Sequence, residues 1–94
     1  GAIADCSQAI AINSRVAPAY INRAIAKHNL GDYQGEIADL SKAISINPQS
    51  PNAYRNRGIS YEVAGDLIGA CMDWRTAASL GDADAAEWVR KQCQ

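Results

Sequence analysis

A chain of 94 residues, 48% of them apolar and 20% charged, has material for one small packed domain. Its net charge of -1 supplies neither the basic field that nucleic acid requires nor a polybasic patch for an anionic membrane. No apolar run approaches the roughly 18–20 residues of a membrane-spanning helix, and no signal-peptide pattern is visible.

In chain order, the spacing predicts helices over about 1–12, 18–30, 33–46, 51–64, 67–80 and 83–93. The first has an apolar stripe of Ile3, Cys6, Ala9, Ile10 and Ile12, near the i, i+3, i+4, i+7 pattern of a one-sided helix. The third repeats it with Ile37, Leu40, Ala43, Ile44 and Ile46, and the fifth with Cys71, Trp74, Ala77, Ala78 and Leu80. No segment alternates with the period of a strand. Gly31-Asp32, Gly65-Asp66 and Gly81-Asp82 read as stop-and-start signals. Glycine takes the left-handed turn past a helix end, and aspartate caps the next helix. Asn47-Pro48 closes the third helix, and Pro51 suits the first turn of the fourth.

The chain also repeats itself. Residues 17–50 laid over 51–84, an offset of 34, give 11 identities, against about two or three from composition alone. They include Tyr20/Tyr54, Asn22/Asn56, Arg23/Arg57 and Asp39/Asp73. "GAIADCSQAIAINS" matches "GEIADLSKAISINP" at nine positions. A helical pattern with a period of 34 means two helices per unit.

These residues resemble the tetratricopeptide repeat: Tyr20, Ala24, Gly31-Asp32, Leu40, Ala43 and Pro48, then Tyr54, Gly58, Gly65-Asp66, Ala70, Trp74 and Ala77. The motif run is similar to bacterial members, cyanobacterial ones among them. Glu36, Arg23 and Arg57 depart from the usual Ala and Leu, and Asp82 replaces the closing Pro. The resemblance implies an all-α fold of antiparallel helix pairs in a right-handed superhelical solenoid. It divides the chain into the second helix of an incomplete repeat (1–16), full repeats (17–50 and 51–82) and a capping helix (83–94). "AASLGDADAAEW" is also similar to Sel1-like repeats, which share this architecture. On this reading the chain is the C-terminal part of a longer array or a fragment of one, with a native C-terminus. Glu87, Arg90, Lys91 and Gln94 form a polar outer side.

Asp5, Asp39 and Asp73 recur at one register, opposite the unusual arginines. The sequence predicts Arg–Asp bridges: Arg23 with Asp39 or Asp5, and Arg57 with Asp73 or Asp39.

The resemblance implies a protein-interaction module, a scaffold or adaptor rather than an enzyme. It binds a peptide or helix of a partner protein in a concave groove. The groove positions held by Asn22, Ile25, Asn29, Arg55, Asn56, Ile59, Glu62 and Arg90 are the candidate partner-binding residues, with Pro18, Ile21, His28, Asn52 and Val63 beside them. Amide side chains can bond a peptide backbone, and Arg55 can take a carboxylate. One subtype grips a C-terminal carboxylate through Lys, Asn and Arg residues. Here only Asn56 and Arg90 match it, while Ile21, Ile25 and Ala86 stand where Lys, Asn and Lys are needed, so a full clamp is not expected. The alternative is a structural end segment that binds nothing in the groove and self-associates through residues 1–12.

Other features carry no chemistry. Cys6, Cys71 and Cys93 are an odd set without metal or CxxC spacing. They predict reduced thiols in a cytoplasmic or other reducing compartment, with Cys6 and Cys71 in the core and Cys93 exposed. His28 alone specifies neither a metal site nor a triad. Asp82, Asp84 and Glu87 fit a helix start better than a cation loop. Trp74 and Trp88 fall in core register, and "LGDYQG" lacks the Lys-Ser/Thr of a phosphate loop. No cofactor, metal or nucleic acid is expected.

Overall fold

The structure, a computed structural model, describes residues 1–93; Gln94, assigned above to the polar face of the last helix, lies outside the described residues. It is all-helical: α1 (Ala2–Ile12), α2 (Ala17–Asn29), α3 (Tyr33–Ile46), α4 (Pro51–Val63), α5 (Leu67–Ser79) and α6 (Ala83–Gln92). The helices fall within a residue or two of the predicted spans. They form two compact units, Gly1–Pro48 with α1–α3 and Gln49–Gln94 with α4–α6.

The Gly-Asp dipeptides act as their chemistry requires. Gly31, Gly65 and Gly81 have φ of 78°, 87° and 105°. At each stop the glycine N–H and the following aspartate N–H bond back to carbonyls of the last turn: His28 and Lys27, Glu62 and Tyr61, Ala78 and Ala77. This six-residue wrap satisfies carbonyls that have no helical partner. The aspartate side chain then accepts from the N–H three residues on, Gly35, Gly69 or Ala85, and starts the next helix. Short connections of this kind place consecutive helices as antiparallel neighbours. No side chain approaches the position of an added Cβ at Gly65, so a substitution there meets only the φ penalty. Gly65→Ala is expected to cost about 1–2 kcal/mol, read as a lower urea midpoint with an unchanged slope.

In the first unit, Ala17 and Tyr20 of α2 meet Ala43 of α3, with Ile10, Ile21 and Ile46 around them. In the second, Ala70, Trp74, Ala77 and Ala85 form the centre, and Trp88 lies 5.2 Å from Trp74 between ring centroids. Small residues here let the helices approach closely around one large ring.

The cysteines correct the sequence reading. Cys71 and Cys93 are joined in a disulfide with Cα atoms 5.7 Å apart, and Cys6 alone is a free thiol. An odd count leaves one thiol over; it does not forbid a pair. Docking α6 on α5 brings the residue just past α6 onto the middle of α5. The expectation of a reducing compartment rested on unpaired thiols and loses that support. Among the described residues, no helix is long and apolar enough to cross a membrane.

Candidate functional site

The candidate residues of the first unit lie along α2. Asn22, Ile25 and Asn29 are spaced by three and four, so they share one side of the helix. Tyr20 and Ala24 are buried. The candidates stay outside: both asparagines are exposed and Ile25 is 45% exposed. Asn29 also borders a cleft of about 550 Å³ with Ala2, Ile3, Ala26 and Leu30, between the start of α1 and the end of α2.

On α4, Arg55, Ile59 and Glu62 share a side, with Asn56 beside them. Glu62 is exposed and Asn56 half-buried. Two others are drawn inward. Ile59 packs against the Trp74 cluster. Arg55 donates from Nη1 to Asp82 Oδ1 at 2.9 Å, while Asp82 Oδ2 accepts from the Ala85 N–H at 2.9 Å. Asp82 thus caps α6 and anchors Arg55. Arg90 is exposed on α6.

Beneath these faces lies a repeated charged joint. Arg23 donates to Asp39 through Nε at 2.9 Å and Nη2 at 2.7 Å, and Arg57 grips Asp73 the same way at 2.7 Å and 2.7 Å. Asp39 and Asp73 are only 4% and 5% exposed. Of the partners left open by the sequence, Arg23 takes Asp39 rather than Asp5, and its Nη1 donates to Ser7 Oγ at 3.0 Å. Lys27 Nζ adds a second cation 3.0 Å from Asp39; Tyr61 stands at the corresponding place in the second unit. Burial pushes the Asp39 carboxyl up, but the hydrogen bonds from Arg23 and Lys27 outweigh it and hold it below the ordinary carboxylate range. Hydrogen bonds to the aspartates, against desolvation, raise the Arg23 and Arg57 guanidinium groups. Each guanidinium also lies over a ring, Arg23 over Tyr20 at 5.6 Å and Arg57 over Tyr61 at 5.7 Å.

One contact had no forecast. Glu36, 2% exposed, meets His28 Nδ1 through Oε1 at 2.8 Å, with the Tyr33 ring edge-on to the imidazole. The sequence signal was present: Glu36 replaces a small residue of the repeat, eight positions after the chain's only histidine.

Residues 27–65 match the family model of the TPR repeat. Among solved structures, the chain is similar to the first TPR of Spaghetti (RPAP3) bound to the HSP90 peptide SRMEEVD. The identity is 22% over 95% of this chain and 72% of that one, with a TM-score of 0.89. It is similar to the second TPR domain of human RPAP3, in complex with the HSP70 peptide SGPTIEEVD, at 26% identity over 98% and 78% and a TM-score of 0.88. MamA is 28% identical over 89% of this chain, which spans about half of MamA (49%), with a TM-score of 0.82. No curated protein sequence matches it. The matched repeat and these neighbours support the tetratricopeptide repeat family and an all-helical repeat fold.

Proposed function

We propose that the chain is a protein-interaction module that takes a peptide or helix of a partner protein on the exposed side of α2, with the exposed side of α4 as a second candidate face. The observation that carries the reading is the α2 face: Ile25, 45% exposed, lies between exposed Asn22 and Asn29. An apolar contact flanked by amides that donate and accept suits an extended main chain. The two RPAP3 neighbours are each bound to a peptide, which supports the class of ligand. The chemistry of the ligand differs here. Ile21, Ile25 and Ala86 supply no charge where a carboxylate grip would need it, and Arg55 is already paired with Asp82. The favoured ligand is an amphipathic segment rather than a terminal carboxylate.

Affinity capture with the parent protein and with Asn22→Ala/Asn56→Ala, read by mass spectrometry, tests this. We expect a partner set that weakens about tenfold or more in the double variant, from the loss of two amide contacts. Titration with SRMEEVD is expected to give no saturable binding. An identical partner set in the double variant would argue for the second reading, a structural end segment that self-associates through residues 1–12. One observation favours that reading: α1 buries no residue, and Ile12 is 81% exposed. Light scattering that shows mass growing with concentration, and Ile12→Asp abolishing it, would establish the second reading.

A further inference from the structure

The disulfide ties the end of α6, where Cys93 packs at the edge of the Trp74 cluster, to the body of α5. Cys71, 6% exposed, sits in the body of α5, while half-buried Cys93 directly follows α6. The bond closes 22 residues of sequence over the Gly81-Asp82 junction and all of α6.

That helix depends on its attachments. It has 10 residues, shorter than the roughly 12–15 that make even a favourable isolated helix marginal in water. At its start it is held by the Asp82 cap, the Arg55–Asp82 pair and fully buried Ala85. Trp88 and Val89 pack against the core. Beyond them, its Lys91–Glu87 pair is largely exposed and contributes little. The end of α6 is held by Cys93, which packs against the Trp74 cluster, carries the disulfide and accepts at its carbonyl from Arg75 Nη2 at 3.2 Å.

The bond is also reachable. Cys71 and Cys93 both line an open cleft with Leu67, Ile68, Met72 and Gln92. Ile68 is 79% exposed and Met72 63%, so an apolar rim stands beside a disulfide with one half-buried cysteine. An exposed apolar rim of this kind offers a protein dithiol a footing next to the bond.

We propose that Cys71–Cys93 is a redox latch on α6, opened by thiol–disulfide exchange with a dithiol reductant of the thioredoxin class. The reductant's thiolate attacks Cys93 Sγ, on the less buried of the two cysteines. A mixed disulfide forms, and Cys71 leaves as a thiolate that takes up a proton. The reductant's second thiol then displaces Cys93 as a thiol, and the reductant departs as a disulfide. Two electrons and two protons pass to the cysteine pair. The last turns of α6 then fray, while α4 and α5 stay closed around Trp74.

Hydrogen exchange on the full chain, oxidised and after dithiothreitol, tests the latch. Reduction is expected to lower the protection of amides 89–93 about tenfold or more and by a distinctly larger factor than that of amides 53–62, which follow only the global loss. It is also expected to lower the melting temperature by roughly 10 °C or more, because the closed loop is lost. Cys93→Ser is expected to match the reduced protein and to stop responding to dithiothreitol, whereas Cys6→Ser responds like the parent. In native buffer the reduction rate is expected to rise in proportion to dithiothreitol concentration. Equal protection in both redox states overturns the proposal. So does a reduction rate that levels off at the rate of global unfolding, which would mark a buried staple instead of a latch. Three titratable thiols in protein prepared without reductant would also overturn it.

Discussion

Trp74→Ala is expected to cost about 3–5 kcal/mol, the upper range for removing a buried aromatic ring. Trp74 is 1% exposed and is the largest fully buried side chain of the protein. Its buried neighbours Ala70, Ala77 and Ala85 have no side-chain length with which to fill the space it would leave. Trp88, 5.2 Å away, is itself only half-buried and does not replace the lost volume. Such a loss approaches the whole stability of a domain this small, and a urea titration followed by circular dichroism should find the second unit largely unfolded. Trp74→Phe separates the ring from its polar atom. The indole Nε1–H is buried with no hydrogen-bond partner among the described residues, so phenylalanine gives up volume but no bond. Its cost should stay near 1–1.5 kcal/mol; a loss as large as that of alanine would show that Nε1–H is bonded in solution. The fit is tight on one side, because a Cβ added at Gly58 would lie 2.5 Å from Nε1 and 3.2 Å from the Ala70 carbonyl oxygen. Glycine at that position is set by the ring opposite it.

Arg57→Ala is expected to lower stability by about 3 kcal/mol, because it leaves the Asp73 carboxylate buried and unpaired. Arg23→Ala removes the matching contact but should cost distinctly less, since Lys27 Nζ remains 3.0 Å from Asp39. The comparison tests the joint itself, because the two arginines share register, geometry and exposure. Equal losses would show that Lys27 does not compensate. A melt of Arg57→Ala that overlays the parent would show that the pair contributes nothing. Acid gives the sign independently. The folded Asp39 carboxyl lies below its ordinary range, so its stabilisation is complete above about pH 4 and disappears as pH falls through the folded value. Asp39→Asn should flatten that acid limb.

The helices were legible because their signals are local and redundant. Asp66 alone is an ambiguous polar residue; Gly65-Asp66, 34 residues after Gly31-Asp32 and between apolar stripes, has one reading. The Arg–Asp joints were legible because repetition placed each arginine opposite an aspartate twice over. What was not legible depended on contacts that occur once. The Cys71–Cys93 bond has no counterpart at the other registers, where Ile3 and Ile37 stand in place of Cys71. Parity of the cysteine count pointed the wrong way. Glu36 was visible as a departure from the repeat, but nothing in its own spacing named half-buried His28 as its partner. Arg55 was read as open to a ligand because its helix register faces outward. Its partner, Asp82, lies 27 residues later, at the one junction where the Gly-Asp signal replaces Asn-Pro.

The distances along the chain at which these bonds close set the pace of folding. Every cap and stop is made within five residues, the Arg–Asp joints close over 16, and the Arg55–Asp82 pair closes over 27. No strand must wait for a distant mate. Chains dominated by such near-neighbour contacts cross their folding barrier in microseconds to milliseconds. Each unit can therefore complete its helices soon after its own residues emerge from synthesis. The disulfide belongs to a slower clock, because sulfur oxidation takes seconds to hours. The bond is thus added once the start of α6 has docked on α5, and the geometry of the helices selects which two of the three cysteines meet.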